Sequence, residues 1–126
     1  MEDNKFLSEI ESGYIETQKN ICLKYGAQYL PSFFSQIAGV AIESLEKKVL
    51  PINGLRHSIE NNNSSSWFIW AGEYSNAPEF FKPVHIHHLL ELYPNAIKFL
   101  GLSPGWRFLT DGVYEDVWFD EKLLEV

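Results

Sequence analysis

Three of the chain's four histidines fall within four positions, His85-Ile86-His87-His88, and no other cluster is better suited to holding a metal ion. On a helix, residues three apart share a face, so His85 and His88 would point the same way while His87 would not join them. Zinc needs at least a third ligand, and no His-Glu-x-x-His or paired-cysteine motif supplies it. No metal is expected, and these histidines are read as helix residues beside a loop that bond to backbone groups. Asp111, Glu115, Asp116, Asp120 and Glu121 form a second cluster, with carboxylates suited to acid–base work or a divalent cation. Nothing beside them looks like a nucleophile, a phosphate-cradling glycine loop or a calcium loop. Acids crowded into one hairpin and its tail suit a solvated face or a recognition surface better than a catalytic centre, so no catalytic residue is assigned. Cys22 is the single cysteine, beside an apolar helix stripe, and is read as a small buried hydrophobe.

The acids belong to the stretch Pro104 to Asp120, where Asp111-Gly112 separates two runs of alternating character, a strong hairpin signal. With Asp111 and Gly112 as a two-residue turn, Thr110 faces Val113, Leu109 faces Tyr114, Arg107 faces Asp116 and Trp106 faces Val117. That register puts Pro104, Trp106, Phe108, Val113, Val117 and Phe119 on a core side. Arg107, Leu109, Tyr114, Asp116 and Trp118 take the outer side, with an Arg107–Asp116 ion pair between aromatics. Glu115 is the misfit on the apolar side, which calls for a partner there, a longer turn or a bulge.

Upstream, Leu7, Ile10, Tyr14, Ile21 and Tyr25 follow helical spacing from Phe6 to Tyr25, broken only by Gln18. Ser8 and Glu11 suit a capping box at its start, and Gly26 suits a left-handed close. A short strand is expected at Ile37 to Ile42, one helical turn at Ser44 to Val49, and a strand at Pro51 to His57, where Gly54 permits a bulge or a close backbone approach. Asn61 to Ser66 is small and polar and reads as a surface loop before a central strand, Trp67 to Ala71, that is apolar on both faces. Gly72 to Pro78 is a loop and Pro83 could open a helix. Ile86, Leu89, Leu90 and Tyr93 make a helical stripe over His85 to Tyr93, followed by a short helix at Asn95 to Leu100. The expected fold is α+β: one domain over residues 1–126, a largely antiparallel sheet, an N-terminal helix and a short helical pair before the C-terminal hairpin.

At 126 residues the chain is long enough to bury a core without disulfides, and one cysteine suits a reducing compartment. No run approaches a spanning helix and the N-terminus lacks an apolar leader region, so a cytoplasmic protein is expected. Seventeen acidic against ten basic side chains give a net charge of −7. Such a surface repels phosphate backbones and attracts basic proteins, which argues against nucleic acid as a partner.

The strings PINGLRH (Pro51 to His57), WFIWAGE (Trp67 to Glu73), FFKPVHIHHL (Phe80 to Leu89), LGLSPGWRFL and YEDVWFDEKLL together resemble the bacterial immunity proteins of family thirty-three of the polymorphic toxin systems. The resemblance covers about Pro51 to Leu124; residues 1–50 hold the N-terminal helix and first strand. It implies an antitoxin that blocks a cognate toxin domain by occlusion, with no catalytic residues and no cofactor. If that toxin is a nuclease with a basic site, an acidic inhibitor fits its field. The chain itself is expected to be a monomer or weak homodimer. The favoured contact residues are Tyr114, Asp116 and Trp118 on the outer hairpin face, with Asp111 at the turn and Asp120 and Glu121 beyond it. Glu73 and Tyr74 are the second choice. Two alternatives stand beside this reading: a metal-dependent hydrolase using His85 and His88, and a general protein-interaction module.

Overall fold

The computed structural model describes residues 2–125. Helix α1 (Glu2–Tyr25) carries Ile10, Tyr14, Ile21 and Tyr25 inward, as their spacing requires, while Leu7, expected on the same stripe, is exposed. It begins before Ser8, so Ser8 and Glu11 do not cap it; the Glu11 carboxylate instead accepts the backbone N–H of Phe34 at 2.6 Å. Gln18, which interrupts the apolar stripe, is fully buried. Its amide oxygen accepts the Ser32 N–H at 3.0 Å and its amide nitrogen donates to the Ser32 carbonyl at 3.1 Å. This exchange fastens the helix to the following connector. Gly26 ends α1 with φ of 69°, a conformation that costs glycine little.

Six strands follow: β1 (Ile37–Val40), β2 (Ile52–Arg56), β3 (Ser64–Ala71), β4 (Lys82–His85), β5 (Trp106–Thr110) and β6 (Glu115–Phe119). They form one sheet in the order β4-β1-β3-β2-β5-β6, antiparallel except for the parallel β1–β3 pair. β3 is central, as its two apolar faces demand. Helix α2 (Ile42–Glu46) lies on the β1-to-β2 connection and packs on β3, two residues earlier than the expected turn at Ser44 to Val49.

Two expectations change before the hairpin. Ser64 to Ser66 are the start of β3 rather than surface loop, and Ser65 and Ser66 are buried. A bulge between the Ile37–Ser64 and Gly39–Phe68 pairs, with Ser66 at φ of 63°, turns the Ser65 hydroxyl to the Ile37 carbonyl at 2.9 Å. Polar side chains are thus buried here with partners. The helix expected over His85 to Tyr93 shrinks to α3 (Leu89–Leu92), preceded by strand β4 and a tight 3-10 turn at Ile86–His88. Pro83 lies in β4 and does not open a helix. A second 3-10 segment, Pro94–Phe99, leads to β5.

The helical segments cover one sheet face. Between the layers lie Trp67, Ile69, Ile52 and Phe108 from the sheet, with Ile86, Leu89, Ile97, Phe99 and Leu100 from above. Phe99 and Phe108 stack with centroids 4.5 Å apart. Phe108 also packs on Gly54, where a Cβ would stand 2.0 Å from the ring, so the space that glycine leaves is taken by an aromatic side chain in an unbroken register rather than by the bulge or close backbone approach expected there.

Arg56 is the least expected core residue, being fully buried without a carboxylate partner among the described residues. Its guanidinium donates to the carbonyls of Leu30 at 2.8 Å, Leu102 at 2.7 Å, Leu100 at 3.4 Å and Ser65 at 2.9 Å, and lies 5.6 Å from the Trp67 ring. Burial lowers its pKa to about 10, which still leaves it charged at neutral pH. One side chain thereby ties the connector after α1, the serine bulge and the segment before β5.

Candidate protein-binding face

In the C-terminal hairpin, Trp106 pairs with Phe119, Arg107 with Trp118, Phe108 with Val117, Leu109 with Asp116 and Thr110 with Glu115. The loop is therefore four residues, Asp111 to Tyr114, and the two-residue register is corrected by two positions. Asp111 is the cause: its carboxylate accepts the N–H groups of Val113 at 2.9 Å and Tyr114 at 2.7 Å, building a wider turn than Asp-Gly alone. Those bonds lower its pKa. A shift of two preserves side-chain parity, so the strand faces stand as expected. Val113 and Phe119, both expected in the core, are instead exposed, Val113 at 97% on the loop tip and Phe119 at 49% near the end of β6.

The Arg107–Asp116 pair does not form. Arg107 lies 5.4 Å over the Trp118 ring and bonds Asp120 at 3.3 Å. Asp116 opposes Leu109, is exposed, and has no ion pair among the described residues.

Glu115 acquires two of the three remedies its misfit called for, a partner and a longer turn. It sits on the helix-covered side, where its carboxylate accepts hydrogen bonds from Tyr25 Oη, Lys98 Nζ at 3.0 Å and Lys24 Nζ at 3.2 Å. Burial by itself would raise its pKa, but the bonds from Tyr25, Lys98 and Lys24 outweigh it and hold the carboxyl down at about 2. This acid is a structural tie between α1 and the hairpin.

The opposite sheet face carries no α-helix among the described residues; the 3-10 segment Glu121–Glu125 meets one end of it, where His57, edge-on to Phe68, donates through Nδ1 to the Leu123 carbonyl at 3.0 Å. Across this face run two rows of neighbours: Trp70, Asn53, Leu109 and Asp116, then Phe68, Leu55, Arg107 and Trp118. Phe68, Leu55, Leu109 and Trp118 are half-buried. Tyr74, 58% exposed, sets its ring against Trp70 at 5.3 Å. Tyr74 and the Asp116–Trp118 pair thus share one face, three strand spacings or about 14 Å apart. α1 covers neither Tyr114 nor Trp118; Tyr114 is 58% exposed. Glu73 and Glu121 are exposed, while Asp120 is committed to Arg107 and to the Lys122 N–H at 3.2 Å. Of the acids counted in this region, Glu115 and Asp120 are neutralised internally. The available negative charge is smaller than the sequence count and centres on Asp116, Glu121 and the turn at Asp111.

The histidines do not pair three apart. His85, in β4, bonds the Ser35 carbonyl through Nδ1 at 2.9 Å and stacks on His87 at 5.7 Å, with His88 edge-on to His87 at 4.4 Å. No group of three or more metal-ligating side chains occurs among the described residues. Cys22 is buried, its thiol directed at the Gly101 carbonyl at 3.2 Å, and burial raises its pKa. No helix among the described residues is long and apolar enough to cross a membrane.

The model of the family described as Imm33-like domain matches residues 17–120. The match reaches further upstream than Pro51, into the half of α1 where Gln18, Cys22 and Tyr25 make their contacts with the connector, Gly101 and the hairpin. No curated protein and no solved structure matches the chain.

Proposed function

The chain belongs to the Imm33-like domain family, and from that premise we propose that it is an immunity protein, binding a cognate toxin domain and blocking it by occlusion without catalysis. Family membership is the observation that carries this reading, and two structural features support it. The sheet face away from α1 presents half-buried aromatic and aliphatic side chains beside Asp116, which has no ion pair among the described residues, a combination suited to a desolvated anchor within an acidic field. The net charge of −7 favours a basic partner and fast, steered encounter. The same charge opposes binding to nucleic acid. The chain acts in the cytoplasm as a monomer or weak homodimer and uses no cofactor. A neighbouring gene for a large secreted protein with a variable C-terminal domain would identify the toxin.

The contact residues are Tyr114, Asp116, Trp118 and Glu121, with Asp111 shaping the turn, Asp120 holding Arg107, and Tyr74 and Glu73 at the far side of the same face. Reversing Asp116 and Glu121 to lysine is expected to slow association with that toxin domain by about tenfold and to flatten its salt dependence. Trp118→Ala is expected instead to speed dissociation. Binding kinetics at two salt concentrations check both; unchanged association for the folded charge-reversed variant removes this face from the interface.

A further inference from the structure

The sheet has two outer strands, β4 and β6, and their edges differ chemically. In β6 the bonds Asp111 N–H to Tyr114 carbonyl (3.3 Å) and Asp120 N–H to Gly105 carbonyl (2.7 Å) fix the phase of the ladder. Antiparallel pairs alternate, so Tyr114, Asp116, Trp118 and Asp120 turn their backbone groups toward β5. Glu115, Val117 and Phe119 turn theirs outward, away from every other strand. In β4 the bond from Ile86 N–H to the Gln36 carbonyl at 2.9 Å sets the phase that leaves Pro83 and His85 facing outward. Pro83 has no N–H, so that edge offers one donor and a ring that obstructs pairing. The β6 edge has no such block.

We propose that the toxin docks by adding an extended, basic strand to the β6 edge, a mode that rests on the toxin-binding reading above. The outward groups of Glu115, Val117 and Phe119 supply the ladder. Side chains set the occupant. A residue of the incoming strand beside Asp116 is Lys or Arg, because Asp116 is exposed and lacks an ion pair among the described residues. A residue beside Trp118 or half-exposed Phe119 is apolar. Tyr114 and Val113, at the loop tip, flank one end of the new strand. A second copy of this chain is the disfavoured occupant, since each carries the same net charge of −7.

The test is amide hydrogen exchange by NMR on the full chain, alone and mixed with the toxin domain encoded beside it, made with its active site inactivated. In the free chain the Glu115, Val117 and Phe119 amides are expected to exchange fast while those of Asp116 and Trp118 are protected. In the complex the three should slow by about a hundredfold. Val117→Pro removes an outward donor without touching the β5 ladder and is expected to weaken the complex at least about tenfold, with the rest of the sheet still protected. A complex in which the three amides exchange as fast as in the free chain overturns the strand pairing and leaves the toxin-binding reading in place. Absence of any complex overturns both. Protection of the three amides in the toxin-free chain, together with dimer sedimentation, overturns the pairing in favour of self-association.

Discussion

Replacing Arg56 with methionine is expected to lower stability by about 3–5 kcal/mol, close to what a small domain possesses. Methionine approximates the volume but donates nothing, so the carbonyls of Leu30, Leu102 and Ser65 lose their guanidinium donor inside the core. The Leu100 carbonyl suffers least, because the Trp67 indole at 3.1 Å and the Ser32 hydroxyl also donate to it. Each buried acceptor left bare costs on the order of 1–3 kcal/mol, partly offset by relieving the burial of a charge that has no counter-ion among the described residues. Arg56→Lys should fall nearly as far, since an ammonium cannot span four carbonyls held by a planar fork. Urea denaturation measures both, and a loss below about 1 kcal/mol for either would mean that the carbonyl cage contributes little.

Glu115→Gln should cost about 1–3 kcal/mol at neutral pH, because one carboxylate joins two segments of the helical layer to the hairpin and an amide cannot accept from two ammonium groups equally well. The pH dependence carries a sign. The folded-state pKa lies at about 2, below the ordinary 4.5, so the stabilisation is present above 4.5 and is lost as pH falls toward 2. The unsubstituted chain should therefore lose stability through that window more steeply than Glu115→Gln, and the two melting curves should converge in acid. Parallel curves would deny the depressed pKa.

Elements whose determinants are local were legible in the sequence. The spacing along α1, the two apolar faces of β3 and the sidedness of the hairpin all depend on neighbours a few positions away or on strand parity. The hairpin register was not legible, because the Asp111 side chain, by bonding two backbone amides, replaces the turn that Asp-Gly usually makes. Arg56, Gln18 and Ser65 were hidden for another reason. Polarity alone assigns them to water, yet each is satisfied inside by a backbone group of a different segment, and sequence spacing gives no sign of such distant carbonyls. The His85 region shows the ambiguity of short apolar stripes: Ile86, Leu89, Leu90 and Tyr93 have helical spacing, but only Leu89–Leu92 is α-helix and His85 belongs to an edge strand. For the candidate site, the outer hairpin residues were nameable from the alternation. Their sharing of a face with Tyr74 required the sheet order, and the internal neutralisation of Glu115 and Asp120 required the third dimension.

Neutralisation by occlusion, as opposed to catalysis, is tested most directly by titrating the active toxin domain with this chain while following residual toxin activity and complex mass. Binding by occlusion predicts a linear fall that ends at about one equivalent, with a one-to-one complex by light scattering. Complete inactivation at a small fraction of an equivalent, or toxin activity unchanged at excess chain, would contradict it.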